Sequence, residues 1–147
     1  MCPAKSMKAD HQVIRVVAGI IERDDRILVC RRQAGKILAG KWEFPGGKLR
    51  PSETPRQALA RELREELGVA ANVGDLLHVV PHRYAEMDAA VQISFFWVAV
   101  EGSPRNLAFE QIAWVWPEDL PRYDFLAADR LVISRLVRGE IHMNTIR

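Results

Sequence analysis

The chain has 147 residues, 48% of them hydrophobic and 27% charged, and its 21 Lys plus Arg against 19 Asp plus Glu leave a net charge of +2. That length suits one domain with a core of its own, and the near-balanced charge argues against a polycation bound to nucleic acid or a membrane-surface helix. No run reaches the ~18 apolar residues of a membrane span, the N-terminus lacks the apolar centre of a secretory signal, and two cysteines, Cys2 and Cys30, make neither a disulfide framework nor a zinc site, so the expectation is a reduced, cytoplasmic protein, monomer or homodimer.

Residues 1–12 are aperiodic and read as a flexible arm, with a single domain over 13–147. Val13 to Ile21 is a β-branched run, predicted as a buried strand. Asp24-Asp25 turns it into a second strand, Arg26 to Cys30, as a hairpin. Residues 33–41 carry two glycines and read as a loop. Trp42 to Phe44 is a short extended piece, broken by Pro45-Gly46-Gly47. Thr54-Pro55-x-Gln57 is a capping box with proline at the first helical position. Ala58, Leu59, Leu63 and Leu67 then fall on one helical stripe, and Gly68 caps the end. Leu76 to Val80, Val91 to Val100 and Ile112 to Trp116 read as strands, the last stopped by Pro117. Leu126 to Val137 reads as a closing helix with Leu126, Ile133, Leu136 and Val137 on one face. Strands bracketing two helices predict an α/β or α+β sandwich. Trp97, Trp114 and Trp116 are assigned to packing, and Cys30 to the core as a small apolar side chain.

The central helix carries Glu62, Glu65 and Glu66 at i, i+3 and i+4, which puts three carboxylates on one side. Like charges at that spacing repel, more strongly when partly buried. A solvated helix face would interleave lysines, and this one does not. Upstream of the capped helix start lies a Pro-Gly-Gly loop, Pro45 to Gly47. Clustered carboxylates beside a bend with free backbone groups suit a hard divalent cation bridging to phosphate.

Gly47-x5-Glu53-x7-Arg61-Glu62-Leu63-x-Glu65-Glu66-x-Gly68-Val69 resembles the Nudix box, GX5EX7REUXEEXGU, at every specified position. Upstream, CRRQAGKILAGKWEFPGG is similar to the MutT-type subgroup, with its paired arginines and Trp/Leu-Glu-Phe-Pro-Gly-Gly run. The likeness extends over roughly residues 13–138. It implies a mixed sheet between helices, an α/β/α sandwich with the box as a loop–helix–loop. It also implies hydrolysis of a nucleoside diphosphate linked to another group, with Mg²⁺, or Mn²⁺ in its place, as cofactor.

The resemblance further implies roles for particular residues. Glu62, Glu65 and Glu66, with the Gly46 carbonyl, would be the metal ligands. Glu53 and Arg61 would pair to stiffen the loop–helix–loop, through an arginine fork on a carboxylate. The general base stays open between Glu110 and a box glutamate such as Glu65. The family's glutamate in the loop before the tryptophan strand aligns, counted back from Trp114, with Ala108. Arg32, Phe44 and Asp129 match nucleotide-contacting positions. Phe44 also reads as plain core, Arg32 as a strand-end charge, and Asp129 as an N-cap for the last helix. An ionised aspartate only accepts hydrogen bonds, which at Asp129 favours guanine-type or cytosine-type bases over uracil and thymine.

The implied activity is a nucleoside triphosphate pyrophosphohydrolase, releasing a nucleoside monophosphate and pyrophosphate. Oxidised purine nucleotides such as 8-oxo-dGTP are the first expected substrate, which would cleanse the nucleotide pool and so serve DNA repair. CTP, dCTP or damaged cytosine nucleotides are the alternative. An ADP-ribose or dinucleoside polyphosphate hydrolase fits less well, since Tyr84 lies near a tyrosine marker position but Pro81 comes too early for the proline one. A non-catalytic nucleotide sensor is the reading from another class, and the intact box argues against it. The expected partner is a small nucleotide, not a nucleic-acid polymer.

Overall fold

The computed structural model describes residues 13–141. The expected N-terminal arm, residues 1–12, lies outside the described residues. The elements run β1 (Val13–Arg23), β2 (Arg26–Arg31), β3 (Trp42–Glu43), β4 (Gly46–Lys48), α1 (Pro55–Leu67), β5 (Ala70–Tyr84), β6 (Ala89–Glu101), β7 (Gln111–Val115) and α2 (Arg130–Val137). Short 3₁₀ turns lie at Ala85–Met87, Pro117–Arg122 and Ala127–Asp129. No described helix is long and apolar enough to cross a membrane.

The sheet is mixed. β1 runs parallel to β6 from Val13↔Ala90 to Ile21↔Val98. The other pairings are antiparallel: β5 on β6, β4 and β2 on β1, and β3 and β7 on β2. Asp24 and Asp25 take positive φ, 54° and 66°, as a tight hairpin turn requires. The β1–β2 register is short, only Glu22↔Ile27 and Arg23↔Arg26. The strands then part, and β4 takes the vacated edge of β1.

Alternation along the strands builds a core on each face. On one side Val17, Ile21, Leu28, Phe96 and Val98 meet Ala58, Leu59, Leu63 and Leu67 of α1. On the other, Ala18, Ile20, Val29, Phe95 and Trp97 meet Val132, Ile133 and Leu136 of α2. This is the expected sandwich, with a helix on each face.

Helix α1 forms as its sequence dictates. The Thr54 hydroxyl accepts from the Gln57 N–H, the Gln57 side chain accepts from the Thr54 N–H, and Gly68 closes the helix at φ 67°. Four expectations need correction. Gly46–Lys48 does not merely break the chain: it is strand β4, set against Val16–Ala18. β5 runs over fifteen residues rather than five, with irregular pairing near Leu76 where the edge strand bends. The closing helix starts at Arg130, after the 3₁₀ turn, and Val137 is 41% exposed rather than buried. Trp116 is 42% exposed under the Arg26 guanidinium instead of packed inside.

Candidate active site

β4 and α1 are bound together by their backbones and carboxylates. A Cβ at Gly46 would overlap the Val17 carbonyl, and one at Gly47 would overlap the Glu62 carboxyl group. Only glycine lets the strand lie against both β1 and the helix. The Gly46 N–H donates to Glu66 Oε1 at 3.2 Å. The Pro-Gly-Gly bend and the acidic helix face are therefore one surface, although twenty residues separate them.

The three box glutamates occupy unequal environments. Glu66 is deepest: burial, then Glu62 and Glu43 nearby, push its carboxyl up to about 9. Glu62 is half-buried and also shifted up by burial, against the pull of Arg61. Glu65 is about half exposed, 3.3 Å from Arg61 and 3.5 Å from Arg50. Arg61 grips Glu53 through Nε (2.6 Å) and Nη2 (2.8 Å), donates to the Lys48 carbonyl, and touches Glu62 at 3.1 Å. Glu53 takes a further hydrogen bond from the Arg50 N–H. Arg61 and Arg50 hold its carboxyl down at about 2. The Glu53–Arg61 pair thus ties the loop to the helix.

The carboxylates do not already converge as a cage. Among the described residues no three His, Cys, Asp or Glu side chains close around one point, because Glu62 and Glu65 turn to Arg61. The donor set nonetheless fits a hard cation: carboxylate oxygens of Glu62 and Glu66, and a glycine carbonyl on the bend. Glu66 in particular sits where negative charge is disfavoured by its neighbours and a cation would restore it.

A cavity of about 260 Å³ opens above this surface, lined among others by Arg32, Glu43, Phe44, Gly46, Glu66, Tyr84 and Asp129. It therefore gathers five of the candidate residues, Arg32, Phe44, Gly46, Glu66 and Asp129. Asp129, also in its lining, is 3% exposed. The Phe44 N–H bonds its carboxyl group, while Oδ2 finds no partner. Burial pushes this carboxyl well above the ordinary range. The capping reading fails: Asp129 is helical in its own backbone and caps nothing with its side chain. Burial works against the ionised, acceptor-only form that the base-reading expectation assumed.

Phe44 serves as both core and wall: it is 3% exposed, packs on Phe125 at 5.3 Å and on Phe95 edge-to-face, and lines the cavity. Glu110 does not come to the site. It is exposed at the base of β7, its N–H on the Arg31 carbonyl, while Ala108 and Phe109 line the cavity instead.

Two residues went unassigned in the sequence. Glu43 is a partly buried acid between Trp42 and Phe44, shifted up by burial against the pull of Arg32, and a lone acid inside an aromatic strand was its signal. Tyr84 is pushed up to about 12 by burial, and its hydroxyl accepts from the Ala128 N–H at 3.2 Å, pinning the turn that carries Asp129. A larger, open groove of about 610 Å³ beside α2 contains none of the box residues.

A family model described as the NUDIX domain matches residues 11–136. The CTP pyrophosphohydrolase of Escherichia coli K12 is 40% identical over 119 residues, covering 80% of this chain and 87% of that protein. The 8-oxo-dGTP diphosphatase of the same organism is 32% identical, covering 85% of this chain and 97% of that one. Among solved structures, a MutT NUDIX hydrolase from Burkholderia pseudomallei superposes with a TM-score of 0.76 at 31% identity, covering 84% of this chain and 98% of the other.

Proposed function

The chain belongs to the NUDIX family of hydrolases, and from that premise we propose that it is a Mg²⁺-dependent nucleoside triphosphate pyrophosphohydrolase acting on oxidised purine nucleotides such as 8-oxo-dGTP. Water adds to one phosphorus of the α–β bridge, the P–O–P bond breaks, and a nucleoside monophosphate and pyrophosphate leave. The water's proton goes to a carboxylate. Two relatives described as 8-oxo-dGTP diphosphatase and CTP pyrophosphohydrolase support this class of substrate.

One observation carries the reading. A single cavity is lined both by the crowded acid Glu66, held by the Gly46 N–H, and by Asp129 with its unpartnered Oδ2. The first suits a metal-bound diphosphate and the second a base edge. Glu62, Glu66 and the Gly46 carbonyl would hold the ion, with Glu65 beside them. When bound, magnesium neutralises bridge charge and lowers the pKa of water. Glu65 takes the role of general base, because its half-exposed carboxylate stands on the same helix as Glu62 and Glu66, whereas Glu110 lies at the base of β7. Arg32 and the wall at Phe44 hold the nucleoside.

In the protonated form that burial favours, Asp129 would present one donor and one acceptor. Oxidation of guanine at C8 turns N7 from acceptor to donor beside the O6 acceptor, which this acid complements. Unmodified guanine offers two acceptors on that edge and does not match. The cytosine N3/N4 edge also pairs an acceptor with a donor. That match, with the 40% identity to a CTP pyrophosphohydrolase, favours cytidine triphosphates as the second reading.

Side-by-side kinetics on 8-oxo-dGTP, dGTP, dCTP, CTP and ADP-ribose with Mg²⁺ test the choice. We expect pyrophosphate rather than orthophosphate, and kcat/KM at least tenfold higher for 8-oxo-dGTP than dGTP. A maximum at CTP or dCTP would install the second reading, and preferred turnover of ADP-ribose would overturn both.

A further inference from the structure

Arg32 is held on two sides. Its Nε donates to the Ile37 carbonyl at 2.9 Å, and its Nη1 lies 3.0 and 3.2 Å from the two carboxylate oxygens of Glu43. Both side chains are largely buried, at 26% and 18% exposure, and both line the cavity. A guanidinium is planar and its donors are fixed relative to one another. Two anchored nitrogens therefore fix the third. Nη2 has no partner among the described residues, so it is a positioned, unspent donor at the cavity wall.

The backbone explains why Glu43 is the anchor. Cys30↔Glu43 is a cross-strand pair of β2 and β3, and Arg31↔Trp42 is the next. Arg32 follows immediately, where β2 ends and its backbone N–H bonds the Lys41 carbonyl. The short β3 thus carries the carboxylate to the side chain that leaves the neighbouring strand. Glu43 is partly buried near the acids Glu66 and Asp129, and the cations Arg32 and Lys36 offset them, Arg32 by direct contact. Such a placement is costly unless the charge is paired. A solvated strand-end arginine would need no such partner.

We infer that Glu43 is a positioning residue for substrate binding: it holds the Arg32 guanidinium so that Nη2 meets an acceptor oxygen of the bound nucleotide. This rests on the proposal that the cavity takes a nucleoside triphosphate. Glu43 touches Arg32 and not the reacting atoms, so its loss acts on affinity rather than on the chemical step.

The test is a mutant cycle with Glu43→Gln, Arg32→Ala and the double variant. KM, kcat and the half-saturating Mg²⁺ concentration are measured for each, with the Kd of the product monophosphate measured without metal. Glu43→Gln keeps the shape and removes the charge. The expected result is a rise of about tenfold in both KM and Kd, with kcat within twofold and the Mg²⁺ requirement unchanged. One such hydrogen bond to a charged group, at 1.4 kcal/mol per tenfold, is of that size. The double variant should bind no worse than Arg32→Ala alone.

Losses that multiply in the double variant would overturn the inference, as would a Glu43→Gln effect confined to kcat or to Mg²⁺. Should Glu43→Gln fail to fold, Glu43→Asp keeps the charge and withdraws it by one methylene. Its KM should then rise several-fold, and an unchanged KM would equally overturn the inference. A wild-type protein that turns over no nucleoside triphosphate would instead remove the parent proposal, while coupling in monophosphate binding still reports on Glu43 and Arg32.

Discussion

The Glu53 carboxylate takes two contacts from Arg61 and one from the Arg50 N–H, and these hold it at about 2. An acid depressed in the folded state stabilises it above its ordinary range, near 4.5, and loses that contribution as pH falls towards 2. The melting temperature should therefore drop through that window, and Glu53→Gln should flatten the drop; an unchanged profile would dissociate the pair from stability. Asp129 lies at the opposite extreme, buried, short of a partner and shifted up. If it reads the base, Asp129→Ala should cost substrates unequally and shrink the preference for 8-oxo-dGTP over dGTP to within threefold; equal losses on every base would leave it a purely structural residue. For the proton acceptor, Glu65→Gln should lower kcat at least a hundredfold, whereas Glu110→Gln, off the cavity, should leave it within twofold. The sequence supplied the identities of these residues and not their electrostatic states. Burial of Asp129 depends on Phe44, Tyr84 and the 3₁₀ turn, contacts between segments 40 to 85 residues apart, and no local pattern reports that.

Helix α1 was readable to its ends because its signals are local: a capping box at Thr54, an apolar stripe and Gly68. Removing the cap hydroxyl with Thr54→Ala should cost about 1 kcal/mol. Leu63, fully buried between α1 and β1, should cost about 2–5 kcal/mol as Leu63→Ala, read by denaturant unfolding. A loss below 1 kcal/mol at Leu63 would contradict the core assigned to that face. Other elements were illegible for a stated reason. Gly46–Lys48 has no strand propensity and is a strand because β1 offers an open edge once β2 parts from it. The extent of β5 is set by its partner β6, not by its own run of residues. The start of α2 was misplaced because the 3₁₀ turn at Ala127–Asp129 shares its composition with a helix and not its hydrogen bonds.

Across the whole molecule, β1 is the common support. It carries β4 and its glycine bend on one edge, β6 on the other, and α1 against one face. The acidic helix and the bend are thus fixed to one strand, while the base end is built by Phe44 and by the turn before α2. A substrate that joins a diphosphate to a base spans both halves. The direct test is a crystal grown with Mn²⁺ and a nucleoside triphosphate whose α–β bridge oxygen is replaced by nitrogen or carbon. The account places anomalous density on Glu62, Glu66 and the Gly46 carbonyl, touching the bridge, with the base edge at Asp129. Manganese bound elsewhere, or a nucleotide seated away from Gly46 and Glu66, would contradict it.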